Sequence, residues 1–101
     1  MDGVIAAQAL DEVRRIIWEV VGKGTATVYL FGSWARGDAG PNADIDLAIE
    51  AHAPLPRGTL ALLRERLEES HVPYRVDVVN LEDVDPDFRR RVLEEGIRWS
   101  D

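Results

Sequence analysis

Two short apolar runs, TATVYLF (Thr25 to Phe31) and DIDLAIE (Asp44 to Glu50), stand either side of a loop of glycine, aspartate and proline. The first is β-branched and aromatic, lies between glycines and is too short for a typical helix, so it reads as a strand. The second reads as another, and YRVDVVNL (Tyr74 to Leu81), entered after HVP, as a third. A chain with three such runs must build a sheet, and its other segments have to cover the faces of that sheet.

Those other segments carry helical spacing. From Val4 to Val21 the residues Ala6, Ala9, Leu10, Val13, Ile16, Ile17 and Val20 recur at three and four, an amphipathic helix that ends before GKG. PRGTLALLRERLEES sets Leu60, Leu63 and Leu67 on one helical face, with Pro56 suited to the first turn. A third helix opens at Asp85-Pro86, Asp as cap and Pro at the first helical position, and aligns Phe88, Val92 and Trp99. Gly96 either terminates that helix or lets it pack closely on the sheet. The order is helix, strand, strand, helix, strand, helix. The expected fold is α/β (α+β), a small mixed β-sheet packed against helices, with residues 1–101 as one domain. GPNAD and AHAPLPRG read as shaped loops within it.

A chain of 101 residues with 46% apolar content supports one core and leaves no room for an independent substrate domain. No apolar run approaches membrane-spanning length, and MDGVIAAQALDEVRR carries acids where a secretion signal wants bases, so the expected location is the cytoplasm. The absence of Cys removes disulfide, thiolate-metal and thiol chemistry. A formal charge of -7 disfavours broad capture of nucleic acid but admits a small phosphate-bearing ligand where a cation inverts the local sign.

The alternation of a strand aims Asp44 and Asp46 together and sends Ile45 and Leu47 to the opposite layer. Two carboxylates so close repel unless a cation lies between them. Asp77, flanked by Val76 and Val78, joins the pair if the third strand neighbours the second. Three convergent carboxylates form an oxygen-rich magnesium site of the kind that clamps a nucleotide triphosphate. Taken alone, DID also fits the solvated face of an edge strand. Upstream, Gly32 permits close backbone approach, and Ser33 offers a hydroxyl and an N–H to phosphate oxygens. A short helical turn in SWARG would add further amides.

GS, ten residues, then DID, with a carboxylate in a later short strand, resembles the signature of the DNA polymerase beta-like nucleotidyltransferase superfamily. Within it, from Val13 to Trp99, the chain resembles the minimal nucleotidyltransferase (MNT) antitoxin family, whose members are of similar length and are encoded beside HEPN-domain toxins. The resemblance implies a palm-like fold. It places Gly32 and Ser33 in a nucleotide-phosphate loop, with Arg36 and Gly37 matching the family's continuation. It assigns Asp44 and Asp46 to magnesium and Asp77 to the third catalytic and metal-binding position. ADIDL stands where SDIDL is common, so Ala43 supplies no hydroxyl there.

The same resemblance implies transfer of AMP from ATP to a tyrosine of a helical HEPN toxin, within a hetero-oligomer. The alternative it allows is a non-catalytic antitoxin that binds and blocks its partner. Nucleotidyl transfer needs an acceptor held in line, and a chain this small would take that acceptor from another protein. Trp18 falls off the apolar face of the first helix and is either an interface anchor or a cover for aliphatic carbons. Trp34 either stacks on a base or braces its loop. His52 and His71 share no metal-ligand pattern. Arg89, Arg90 and Arg91 suggest a phosphate stripe but fan around a helix, with Glu94 and Glu95 available as ionic partners.

Overall fold

The computed structural model describes residues 3–40 and 42–99; Pro41, within the GPNAD loop, lies outside them. Helix α1 spans Gly3–Val21 and is followed by strand β1 (Ala26–Phe31), a single helical turn α2 (Ser33–Arg36) and strand β2 (Ile45–Ala51). Then come α3 (Thr59–Glu69), β3 (Val76–Asn80), α4 (Pro86–Glu95) and β4 (Ile97–Trp99). The sheet order is β3-β2-β1-β4. β1 runs antiparallel to both β2 and β4, while β2 and β3 are parallel, the arrangement a helical crossover through α3 requires.

The period-two pattern of the strands divides the sheet into two chemically different faces. Ala26, Val28, Leu30, Ile45, Leu47, Ile49 and Val78 point to one side, where they pack with Val13, Ile16, Ile17 and Val21 of α1 and Leu63 and Leu67 of α3. On the other side Ala48, Tyr29, Phe31 and Val79 meet Leu81, Val84 and the α4 residues Phe88 and Val92. The helices α1 and α3 therefore cover most of one face, leaving Val76 at its edge half-buried. α4 covers only part of the other, and the carboxylates lie beyond it.

Local chemistry accounts for most element ends. The Asp85 side chain accepts from the Phe88 N–H at 2.9 Å and Pro86 occupies the first turn, as the sequence leads one to expect. Helix α3 starts later than expected: Pro56 precedes it in a turn, its carbonyl accepting from both the N–H and the hydroxyl of Thr59, and Gly58 at φ 85° leads into the helix. At the open edge of the sheet the Arg64 guanidinium donates to the Val78 carbonyl at 2.9 Å.

The largest departure from the sequence reading concerns Trp99. It does not extend the face of α4; it lies in β4, opposite Val28, only 3% exposed and beneath the Arg14 guanidinium at 4.7 Å. Trp18 is half-buried against the main core and is not an exposed anchor. The arginine triplet also takes other partners than Glu94 and Glu95: Arg89 pairs with Glu50 at 3.2 Å and Arg90 with Asp87 at 3.1 Å.

Gly96 fulfils both roles open to it. Its N–H closes α4 on the Val92 carbonyl at 2.8 Å, and a side chain there would meet that same oxygen at 2.6 Å and the Leu30 carbonyl at 3.3 Å. Its φ of -72° is open to any residue, so the requirement for glycine is one of space alone. Both obstructing atoms are backbone, and neither can turn away. Gly96→Ala should therefore destabilise the protein by about 1–3 kcal/mol, the usual range for forced overpacking. Urea unfolding checks this: an unchanged midpoint would mean that the α4–β4 junction yields easily.

Candidate active site

The register of the sheet decides which polar side chains meet. Phe31 is opposite Asp46 in the β1–β2 ladder, and Asp46 is opposite Asp77 in the β2–β3 ladder. Paired positions share a face, so the two aspartates stand on neighbouring strands about 5 Å apart at the backbone, on the α4 side. The intervening residues Ile45 and Leu47 are fully buried on the other side and fix which way the aspartates point. Asp44 lies one residue before β2, half-buried. It is not a strand residue, contrary to the expectation for DIDLAIE, although its charge still acts on Asp46.

Electrostatically, Asp46 is the strained member. Partial burial first, then the like charges of Asp77 and Asp44, push its carboxyl above the ordinary aspartate range. Asp77 has a partner in the residue just ahead of its strand, since the Arg75 Nε–H donates to its Oδ1 at 3.2 Å. Arg75 escaped the sequence reading, yet its position two residues before Asp77 in the run YRVDVVNL signals a shared face. Among the described residues, no three His, Cys, Asp or Glu side chains are arranged, as they stand, to hold a metal ion. The structure thus brings Asp46 and Asp77 together and leaves Asp44 at the margin.

Gly32 completes the pair's surroundings. Its φ of 73° belongs to the left-handed half of the map, and a Cβ there would lie 2.6 Å from Asp46 Oδ2. Only glycine lets the end of β1 pass so near the carboxylate. The Gly32 carbonyl accepts from the amides of Ala35 and Arg36, which folds SWAR into the turn α2. Ser33 opens that turn, and its carbonyl accepts from Gly37 and Asp38. Arg36 lies on the exposed side and pairs with Asp38 at 3.3 Å.

Trp34 braces the loop. Its indole N–H donates to the Ala43 carbonyl at 3.2 Å, and its ring meets Tyr74 edge-on at 4.9 Å. This ties α2 to the residue just before Asp44, although Ala43 has no hydroxyl of its own to offer. His52 clamps a turn: Nδ1–H donates to the Gly24 carbonyl at 3.2 Å while Nε2 accepts from the Thr27 hydroxyl at 2.8 Å. His71 lies at the end of α3, between the helix and β3.

Asp46 and Asp77 open into a cleft of about 760 Å³, bordered by Phe31, Phe88, Arg64 and Arg75. A phosphate chain and a sugar fit that volume, and aromatic and cationic walls around a carboxylate pair suit a nucleotide brought in with a cation. No helix among the described residues is long and apolar enough to cross a membrane.

Comparison with known proteins agrees with this geometry. Residues 19–99 match the family model described as polymerase beta, nucleotidyltransferase. Probable protein adenylyltransferase MntA of Haemophilus influenzae is 35% identical over 85 residues, spanning 84% of this chain and 73% of that protein. Spectinomycin 9-adenylyltransferase of Staphylococcus aureus is 32% identical over 95 residues, 85% of this chain but 36% of the larger enzyme. Among solved structures, a crystal structure of a toxin–antitoxin with AMP-PNP superposes with a TM-score of 0.72 at 25% identity, over 90% of this chain and 73% of that one. A mixed sheet with its carboxylates on the partly covered face, a glycine pressed against one of them, and a matching model over four-fifths of the length agree: the chain belongs to the polymerase beta-type nucleotidyltransferase family.

Proposed function

We propose that this nucleotidyltransferase is a magnesium-dependent adenylyltransferase that moves AMP from ATP to a tyrosine of a helical HEPN-domain toxin, acting as the antitoxin of that pair. The observation that carries the reading is the register that sets Asp46 beside Asp77 with Gly32 against the carboxylate. The naming of MntA as an adenylyltransferase, and a similar fold in a toxin–antitoxin with AMP-PNP, support the nucleotide and the kind of partner.

Asp44, Asp46 and Asp77 offer oxygen donors alone, and burial together with the charges of Asp77 and Asp44 raises the proton affinity of Asp46, a cost that a hard divalent cation would relieve. Magnesium would supply the positive charge that lets a triphosphate approach these carboxylates and would stabilise charge developing on the phosphate oxygens. Gly32 leaves space for the phosphate chain, and the Ser33 hydroxyl and Arg36 guanidinium contact it. In the reaction a bond forms between the tyrosine oxygen and the α-phosphorus, the bond from that phosphorus to the oxygen bridging towards the β-phosphate breaks, and pyrophosphate leaves. Asp77, on the more open side of the pair, takes up the phenolic proton.

One observation favours a blocking antitoxin without transfer: Arg75 already neutralises Asp77 from within the chain. That pair is exposed, and exposed ion pairs are worth only about 0–1 kcal/mol, so a divalent cation can displace it.

Three outcomes test the assignment. ATP should bind at least about tenfold more tightly with magnesium than with chelator, because uncompensated carboxylates repel the triphosphate; calorimetry showing equal affinity would remove the site. In metal-free protein, Asp46→Asn should unfold at the same or a higher temperature. Since folding raises the Asp46 pKa, its contribution is most favourable below the ordinary aspartate value and is lost as pH rises through the raised value. The stability difference between wild type and Asp46→Asn should therefore shift towards the mutant across that window; marked destabilisation by the mutation would show Asp46 to be structural. Finally, Asp77→Asn should still bind the toxin but fail to add the ~329 Da of an AMP group to it, as loss of a group acting in the chemical step predicts. An intact-mass spectrum with an unmodified partner for wild type as well, despite a stable complex, would select the blocking reading.

A further inference from the structure

The arginine triplet of α4 separates in the fold. Arg89 is committed to Glu50 on β2 and Arg90 to Asp87 on its own helix. Arg91 forms no ion pair among the described residues. It leans over the Phe88 ring at 5.9 Å, an exposed cation placed by an aromatic face and not by a carboxylate. The three consecutive cations thus have three different surroundings, and one keeps its charge available.

The direction in which Arg91 is available is set by a second, smaller cavity of about 140 Å³. Its walls include Phe31, Gly32, Arg36, Phe88, Arg91 and Glu95. Phe31 and Phe88, stacked edge to face at 5.5 Å, also border the larger cleft that holds Asp46 and Asp77, so this aromatic pair is the wall between the two spaces. Gly32 lies at the boundary, against Asp46 Oδ2 on one side and lining the small cavity on the other. Beyond Gly32, on the side away from the carboxylates, the small cavity lies between Arg36 and Arg91.

On the basis of the nucleotidyl-transfer reading above, we infer that Arg91 is a polyphosphate-binding residue, holding the terminal phosphates of the nucleotide from α4 while Arg36 faces it from α2. A guanidinium fork suits a phosphate with two open oxygens; Arg36 reaches the cavity with Asp38 as an exposed ion-pair partner, a contact worth only about 0–1 kcal/mol that a phosphate can displace, whereas Arg91 has no carboxylate to give up among the described residues. Glu95 is the opposing charge in that cavity. It tempers the site without pairing to Arg91, so the phosphates meet a moderated cation that can release the product.

Competition against a fluorescent ATP analogue, with magnesium present, tests the inference on the full chain. Arg91→Gln should weaken ATP about tenfold and leave AMP within about twofold of wild type, because AMP lacks the terminal phosphates; a lost charged hydrogen bond has that size. Arg91→Lys should fall between the two, keeping charge without the fork. Arg90→Gln, the same charge change one residue away, should behave as wild type. Equal losses for ATP and AMP, or equal effects of Arg91→Gln and Arg90→Gln, would overturn the assignment, as would undiminished ATP affinity in Arg91→Gln. Wild-type protein that binds no magnesium-ATP would instead overturn the nucleotide reading together with this one.

Discussion

Backbone pairing holds two like charges side by side, and much of the molecule exists to sustain that arrangement. Asp46 and Asp77 cannot separate by main-chain movement without opening the β2–β3 ladder. The alternate positions of the same strands, Ile45, Leu47 and Val78, are buried under α1 and α3, so apolar burial on one face holds the repulsion on the other in place. Slipping β2 by one residue would turn Asp46 into the core and Leu47 into water, and slipping β3 would do the same to Asp77 and Val78. The register is thereby specified by the hydrophobic effect, and the charge constellation follows from it.

Period and capping made much of the fold legible in the chain. The spacing of Ala9, Val13, Ile16 and Ile17 announced the buried face of α1, and Asp85-Pro86 announced the start of α4. What escaped was governed by tertiary context. β4 has three residues, too few to show an alternation, and Trp99 happens to continue the helical spacing of Phe88 and Val92 until Gly96 turns the chain. Pro56 looked like a first-turn proline but forms the turn ahead of Gly58 and Thr59. The candidate site was legible as a set of residue types. Its key contact, Gly32 against Asp46, depends on which strand residues pair across β1 and β2, and no local pattern encodes that. Asp44 illustrates the same limit, since the strand begins one residue after it.

Side chains near the site divide between bracing and binding. Trp34 fastens α2 to Ala43, so the phosphate-loop residues and the residue preceding Asp44 form one mechanical unit, and Tyr74 secures that unit from the approach to β3. Arg89 and Glu50 tie α4 to β2. With those contacts made by other groups, Arg75 and Arg91 are left exposed beside the carboxylates and beside Gly32, so arginines stand interleaved with the acidic groups that line the two cavities.

The outer strands of the sheet carry a different consequence. β3 presents an unpaired margin, and there the Arg64 guanidinium already occupies the Val78 carbonyl, while the opposite margin, β4, is only three residues long. An incoming strand would find a charged plug on one side and almost no template on the other, two of the means by which sheets resist edge-to-edge growth. The strand that carries Asp77 thus has its outward edge partly occupied from within the chain, and an extended peptide pairing there would compete with Arg64 for the Val78 carbonyl.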